Sequence, residues 1–353
     1  MSLSESQARR YSRQTRLAEV GESGQQALRQ AAVLVIGAGG LGSPALRHLV
    51  GAGIGRVGVV DFDNVDVSNL HRQTLFSSKD IGAKKSDVAA RTLRGVNPEV
   101  DLEVHDLRLD GSNASRLIST YDLVLDGSDT FSTRYAVNDA SVETGVPNVF
   151  SSVSQFSGQA SVFGTERGPC YRCLFPAPPP PGLIPNCEDG GVLGVVPAIM
   201  GTIQATEALK LLLGIGDPLI GRLFLFDALE MASREIAISK DPACPVCGTG
   251  QRVDRAVVEL VSREDLSQRM ASSSPPRLID VRSQEEHDEQ NIGGQVIPLS
   301  EIEARRSEFA PSSDRGVVLY CASGKRSLAA AEALLEHGIA VSSLEGGIRD
   351  WRL

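Results

Sequence analysis

Cys170-x-x-Cys173 and Cys244-x-x-Cys247 set two thiol pairs on short turns, and each pair has the spacing of half a tetrahedral zinc site. Gly168 and Pro169 flank the first pair, Pro245 and Gly248 the second. Roughly seventy residues separate the pairs, so a metal held by all four would tie the end of a domain back to its middle, in a closed site with no coordination position left for a substrate. Two disulfides, or two unrelated thiol pairs, are the alternatives, and nothing in the sequence points to an oxidising compartment. Two cysteines remain, Cys187 and Cys321.

Cys321-Ala-Ser-Gly-Lys-Arg326 follows the apolar run GVVLY and precedes a helical pattern. The thiol is therefore expected where backbone amides converge over a helix N-terminus, a setting that favours a thiolate or a persulfide anion. Lys325 and Arg326 add positive charge. A buried structural cysteine is the plain alternative. Cys187, in PNCEDGGVLG, lies after a proline-rich run and before a glycine pair, on an expected exposed loop, either as a contributor to chemistry or as a bystander.

A third group surrounds Gly37-Ala38-Gly39-Gly40-Leu41-Gly42. Glycines between a strand and a helix allow a tight turn whose amides face an anion, a pattern compatible with NAD, FAD or ATP. Asp61 closes the next apolar strand, where a carboxylate binds a ribose hydroxyl pair. Asn69, Arg72 and Gln73 follow it, then Lys85, and Asp129 in LVLDGSDT sits after a strand. Cations and donors at strand ends around one glycine loop suit a triphosphate, and Asp129 suits magnesium. Taken singly, each of these charges could be an ordinary solvated side chain.

The elements that must position these residues alternate. AVLVI is a strand, and further strands are expected at Val57–Asp61, Leu102–His105, Leu123–Asp126 and Val149–Ser152, with helices over Pro44–Val50, Lys84–Leu93 and Arg134–Thr144. This is the opening of a doubly wound α/β unit. Antiparallel strands are expected at Gln159–Phe163 and Leu223–Phe226, and a long buried helix at Pro197–Leu213. PAPPPPG, Pro176 to Gly182, excludes helix and central strand. GTGQRVDRA reads as a linker. Beyond it, Arg277–Arg282 and Gly316–Tyr320 read as strands and Ser327–His337 as a helix.

With 353 residues, the chain has length for two domains. A net charge of -9 argues against a nucleic acid partner, whose affinity rests on Lys and Arg. MSLSESQARRYSRQ has no signal-like apolar segment and no apolar run suggests a membrane span, so a cytoplasmic protein with reduced thiols is expected.

Residues 10–248 resemble the MoeB/ThiF branch of the ubiquitin-activating-enzyme superfamily. The motifs that carry the resemblance are RYSRQ, GAGGLGSP, VDFDNVDVSNLHRQ, GAKKSD, DGSDTFSTRYAVND, CYRCLFP, NCEDGGVLGVVP and CPVCG. The resemblance implies a Rossmann-like ATP-binding domain with a zinc tetrad, commonly a homodimer, that adenylates the C-terminal glycine of a ubiquitin-like sulfur carrier protein of MoaD or ThiS type. By position it implies that Gly40, Asp61, Ser68, Asn69, Arg72, Lys85, Asp129 and Thr130 hold the nucleotide. Asp129 would bind catalytic Mg2+, and Arg13 would reach into the partner subunit's site. It further implies Zn2+ on Cys170, Cys173, Cys244 and Cys247, and a cysteine at position 187 that attacks the activated carboxyl or joins in sulfur transfer.

Residues from 271 to 353 resemble a single rhodanese domain, through LIDVR, QNIGGQVIPL, the Cys321 loop and LEGGIRDW. Asp280 and Arg282 take scaffold positions there, and Ala322 departs from the arginine that many rhodaneses carry after the cysteine. The resulting expectation is an adenylating domain over 1–248, a linker over 249–270 and a small α/β rhodanese sulfurtransferase domain over 271–353. It would be supplied with sulfur by a cysteine desulfurase or thiosulfate and feed molybdopterin, thiamine, thio-tRNA or cysteine synthesis. An NAD-dependent oxidoreductase and a non-catalytic sulfur-relay adaptor stand as alternatives.

Overall fold

The structure is a computed structural model and describes residues 3–178, 190–248, 258–272, 274–309, 316–349 and 351. It divides into two compact units, and the described residues from 258 onward belong to the second. The proline-rich crossing from residue 179 onward, the GTGQRVDRA linker beyond Gly248 and Cys187 lie outside the described residues.

The first unit is built on one eight-stranded sheet in the order β3-β2-β1-β4-β5-β6-β7-β8. Its strands are β1 Ala32–Ile36, β2 Arg56–Val60, β3 Asp101–His105, β4 Leu123–Asp126, β5 Asn148–Ser154, β6 Ser157–Phe163, β7 Arg222–Asp227 and β8 Ala232–Ala237. The first five pair in parallel and the rest antiparallel. β1 and β4 are buried at every position, as an unbroken apolar run covered on both faces requires. β8 was not expected from sequence: ASREIA is exposed at every residue, so an edge strand with no buried face leaves no alternation to read.

Helix Gly42–Ala52 returns from β1, and Lys85–Val96 packs beside it over β2 and β3. Gly53 ends the former in the left-handed conformation, φ 82°, and the Tyr11 ring fills the space where a Cβ would stand, 2.5 Å from the Tyr11 hydroxyl. Helix Val195–Leu213 is long and apolar enough to cross a membrane, with a mean hydropathy of 1.2, which corrects the expectation that no apolar run approaches that length. Its packing identifies it as a core helix. Gln204 Nε2 donates to Asp126 O and Val149 O at 2.8 and 2.9 Å, and a Cβ on Gly201 would stand 2.1 Å from Leu41 O, so only glycine lets the two helices approach.

The second unit is a five-stranded parallel sheet in the order β11-β10-β12-β13-β9. The strands are β9 Glu259–Val261, β10 Arg277–Asp280, β11 Gln295–Val296, β12 Val317–Tyr320 and β13 Ser342–Leu344. β9 and the Ser262-capped helix Arg263–Met270 fall within the stretch read from sequence as linker, yet β9 pairs with β13. Three residues are too few to show a period. At the end of β10, Asp280 and Arg282 form a buried ion pair at 2.6 Å, and His287 Nδ1 lies 2.9 Å from the same carboxylate.

Breaking one half of that pair leaves a carboxylate buried beside the sheet. Arg282→Met is therefore expected to destabilise the second unit by about 3 kcal/mol, read by calorimetry as a melting transition lowered by about 5 °C or more. The transition of the first unit should stay where it is in the unaltered chain.

Candidate active site

Several residues of the glycine loop face parts of the expected site. Gly37 has φ 86°, and a Cβ there would stand 3.1 Å from Gly127 O, next to the loop that carries Asp129. The Ala38 amide donates to Asp61 Oδ2 at 2.8 Å. Gly39 faces the Gln73 amide, 3.7 Å from where its Cβ would be, and Gly40 faces Arg72 Cγ at 3.5 Å and Pro197 at 3.1 Å. A Cβ on Gly42 would collide with Gly37 O at 1.8 Å, so the loop closes only as glycine. The loop opens at the C-terminal ends of β1 and β4, where the strand order reverses, the place at which doubly wound sheets bind ligands.

Asp61 is buried at the end of β2, and its other oxygen accepts from the Asp63 amide at 2.9 Å. Burial pushes its carboxyl up, against the pull of those two amides and of Lys85. Lys85 begins its helix and is itself buried, and its Nζ meets Asp63 Oδ2 at 3.0 Å. Sequence reasoning did not pick out Asp63. It holds the lysine extended beside Asp61, in a contact that an incoming phosphate would compete for.

Ser68 and Asn69 lie in the turn Val67–Asn69, fixed by Asp66: Ser68 N and Oγ donate to Asp66 Oδ1 at 2.8 and 2.6 Å, and Asn69 Oδ1 accepts from Asp66 N at 3.2 Å. Arg72 Nη1 donates to Ser68 O at 2.8 Å. Gln73 is buried, and its Oε1, on the same amide whose Nε2 faces Gly39, has no hydrogen-bond partner. The sequence placed Gln73 in the right stretch without giving it a role in the site.

Asp129 and Thr130 are exposed on the loop between β4 and helix Phe131–Thr144, and no hydrogen bond to the Asp129 carboxylate occurs among the described residues. The charge missed by sequence reasoning is inside: Asp126 is fully buried, and burial pushes its carboxyl up. The N-terminal motif divides the same way. Tyr11 is buried and its hydroxyl accepts from Asn97 Nδ2 at 2.8 Å, while Gln14 bonds Gln25 Oε1 at 2.6 Å and Ala52 O at 3.2 Å. Between these anchors Arg13 is exposed.

The four cysteines converge although the chain separates them. Cys170 and Cys244 sulfurs are 3.6 Å apart, Cys173 and Cys247 3.3 Å, Cys170 and Cys173 4.0 Å, and all four lie within 4.8 Å of one another. A zinc tetrahedron with bonds of about 2.3 Å has edges of about 3.8 Å, so the spacing fits zinc and is too wide for any disulfide among them. Burial and the neighbouring sulfurs push Cys170 up to about 12, the state a dication would reverse.

In the second unit Cys321 follows β12 and is buried, its sulfur 3.7 Å from the Ser327 hydroxyl that donates to it. Ser327 in turn accepts from Ser343 Oγ at 2.9 Å. The positive charge expected beside the thiol is partly neutralised: Arg326 forks onto Glu286 at 2.6 and 2.8 Å, and this pairing holds the Glu286 carboxyl down to about 2. Lys325 stays exposed. The LEGG turn closes the loop from the other side, with Ile348 N donating to Cys321 O at 3.0 Å and Arg349 N to Ala322 O at 2.9 Å.

Known proteins match both units. Residues 11–246 match the ThiF family and residues 262–353 the rhodanese-like domain. The sulfur carrier protein adenylyltransferase of Thermus thermophilus is 54% identical over 68% of this chain and 90% of its own length. The probable adenylyltransferase/sulfurtransferase MoeZ of Mycobacterium tuberculosis is 43% identical over 99% of this chain and 94% of its own. The crystal structure of E. coli MccB superposes with a TM-score of 0.61 over 68% of this chain and 75% of that one, at 22% identity, a likeness of fold. These matches bear out both resemblances and set aside the oxidoreductase alternative. The chain belongs to the ThiF family and joins to that domain a rhodanese-like one.

Proposed function

We propose that this chain uses ATP to adenylate the C-terminal glycine of a ubiquitin-like sulfur carrier protein, then delivers sulfur to it from a persulfide on Cys321. The observation that carries the proposal is the glycine loop, in which Ala38 is bonded to Asp61 and Gly40 abuts Arg72, in a chain that aligns from end to end with an adenylyltransferase/sulfurtransferase relative.

A carboxylate is a poor electrophile because it has no adequate leaving group. In the first step one of its oxygens attacks the α-phosphorus of ATP and pyrophosphate departs. No base is needed, since the acid is already ionised at neutral pH, so catalysis is positioning and charge neutralisation. Gly40, Asp61 and Thr130 would seat the nucleotide, with Ser68, Asn69, Arg72 and Lys85 at its phosphates. Asp129 would hold magnesium, which when bound offsets the charge developing on the pyrophosphate. Its exposed carboxylate, without a hydrogen-bond partner among the described residues, suits a hydrated hard cation. Arg13 is assigned to the partner subunit's site in a homodimer, in keeping with its exposure between two anchored neighbours.

In the second step the terminal sulfur of the Cys321 persulfide attacks the acyl carbon and AMP leaves. The carrier is then joined to Cys321 through an acyl disulfide, and a second thiol opens it, freeing the carrier as its thiocarboxylate. Cys187 is the candidate for that thiol within the chain. That exchange leaves Cys321 in a disulfide with the second thiol, which a thiol reductant would open before thiosulfate or a cysteine desulfurase recharges Cys321. Zinc on the tetrad would act as a structural clamp.

Asp129→Ala should lower carrier-dependent ATP–pyrophosphate exchange by about 100-fold or more, leaving thiosulfate sulfur transfer unchanged; undiminished exchange removes Asp129 from the site. Cys321→Ala should do the reverse, sparing exchange and ending sulfur transfer. Carrier binding without pyrophosphate release would instead mark the chain as an adaptor. Metal analysis of the purified chain should find about one zinc per chain, and Cys244→Ser should lower both zinc content and the melting temperature of the first unit.

A further inference from the structure

We propose that Arg134 is the residue that positions Asp129, acting from a buried place between the end of β4 and the aromatic floor beneath the Cys170–Cys173 turn. The proposal rests on the adenylation reading above, because it gives Asp129 its task. Asp129 is exposed and meets no partner among the described residues, so its own side chain does nothing to orient it. The residue before it is gripped from two sides. Ser128 N and Oγ both donate to Asp126 Oδ1, at 2.9 and 2.6 Å, and Ser128 O accepts from Arg134 Nη2 at 3.1 Å. That carbonyl belongs to the peptide that enters Asp129, so Arg134 sets the plane from which the carboxylate departs.

The electrostatics of the pair are those of a site rather than of a prop. Asp126 is fully buried and Arg134 is 8% exposed, and the guanidinium acts on that carboxylate through space. Asp126 Oδ2 and Arg134 Nε are both without partners. Buried charge of this kind is costly unless something compensates it. The compensation for Arg134 is the carbonyl, the nearby carboxylate, and three rings whose centroids lie 5.1 Å (Phe150), 5.3 Å (Phe131) and 5.9 Å (Tyr171) from its guanidinium carbon. A flat cation fits against those faces in a way that an ammonium would not.

The same helix, Phe131–Thr144, is fastened farther along to the cysteine turn. Asn138 Oδ1 accepts from Tyr171 N at 2.7 Å, and Asp139 takes Arg172 in a fork at 2.6 and 2.7 Å. These bonds fix the helix, and Arg134 passes its position to the loop at its N-terminus.

Isothermal titration of the full chain with ATP, once with excess magnesium chloride and once with EDTA, reads the role directly. The unaltered chain should bind ATP more tightly with magnesium, and Asp129→Ala should abolish that margin. Arg134→Met is expected to lose at least about fivefold of the margin, with metal-free ATP affinity held within about twofold and with zinc content and thiosulfate sulfur transfer intact. Arg134→Lys should regain part of it. An unchanged margin in Arg134→Met overturns the proposal, as does an equal loss of affinity with and without magnesium, the mark of a structural residue. Arg134→Gln, which keeps an amide donor and most of the bulk, decides the matter if Arg134→Met does not fold; failure of both to fold also overturns it. No ATP binding by the unaltered chain overturns the adenylation reading itself, a result separate from any behaviour of Arg134.

Discussion

The close approach of Gly42 to the carbonyl of Gly37 is the contact on which the first unit depends. With no room for a single carbon between them, the chain turns from β1 into its helix within five residues, and the loop backbone lies open at the reversal of strand order. Ala38 is then held by Asp61, Gly40 abuts Arg72 and Pro197, and Gly37 rests on Gly127. A side chain anywhere in this contact would push β1 and β4 apart at the end where the chemistry is expected.

Polar groups, some buried and some exposed, then fix what the loop leaves free. Asp63 extends Lys85, Asp66 shapes the turn of Ser68 and Asn69, and Asp126 with Arg134 holds Ser128. Lys85, Asp126 and Arg134 are the buried members of this set, and each meets a backbone group or an opposite charge with at least one of its polar atoms. Arg13, Ser68, Asp129 and Thr130 are exposed.

The second unit solves a different problem. Its thiol is shielded, reached by the Ser327 hydroxyl and framed by the LEGG turn, while the fork between Arg326 and Glu286 ties the start of the following helix to a neighbouring one. Local positive potential at Cys321 therefore rests on the helix N-terminus and Lys325 more than on Arg326.

Much of this was legible in the sequence. Unbroken apolar runs gave the central parallel strands, glycine spacing gave the nucleotide loop, and paired cysteines gave the metal site, because in each case one residue type has few physical substitutes. The exposed edge strand β8 and the three-residue β9 were not legible, since neither buries a face long enough to set a period. Residue identity determined which chemistries the side chains suit: four thiols a zinc ion, an exposed carboxylate a hard cation, a further thiol sulfur chemistry. Only the tertiary structure decided which charges are free to perform them. Whether Lys85 meets Asp63, Arg326 meets Glu286, or Arg134 stands beneath Ser128 depends on distances across the fold between residues that lie 22, 40 and 6 positions apart in the chain.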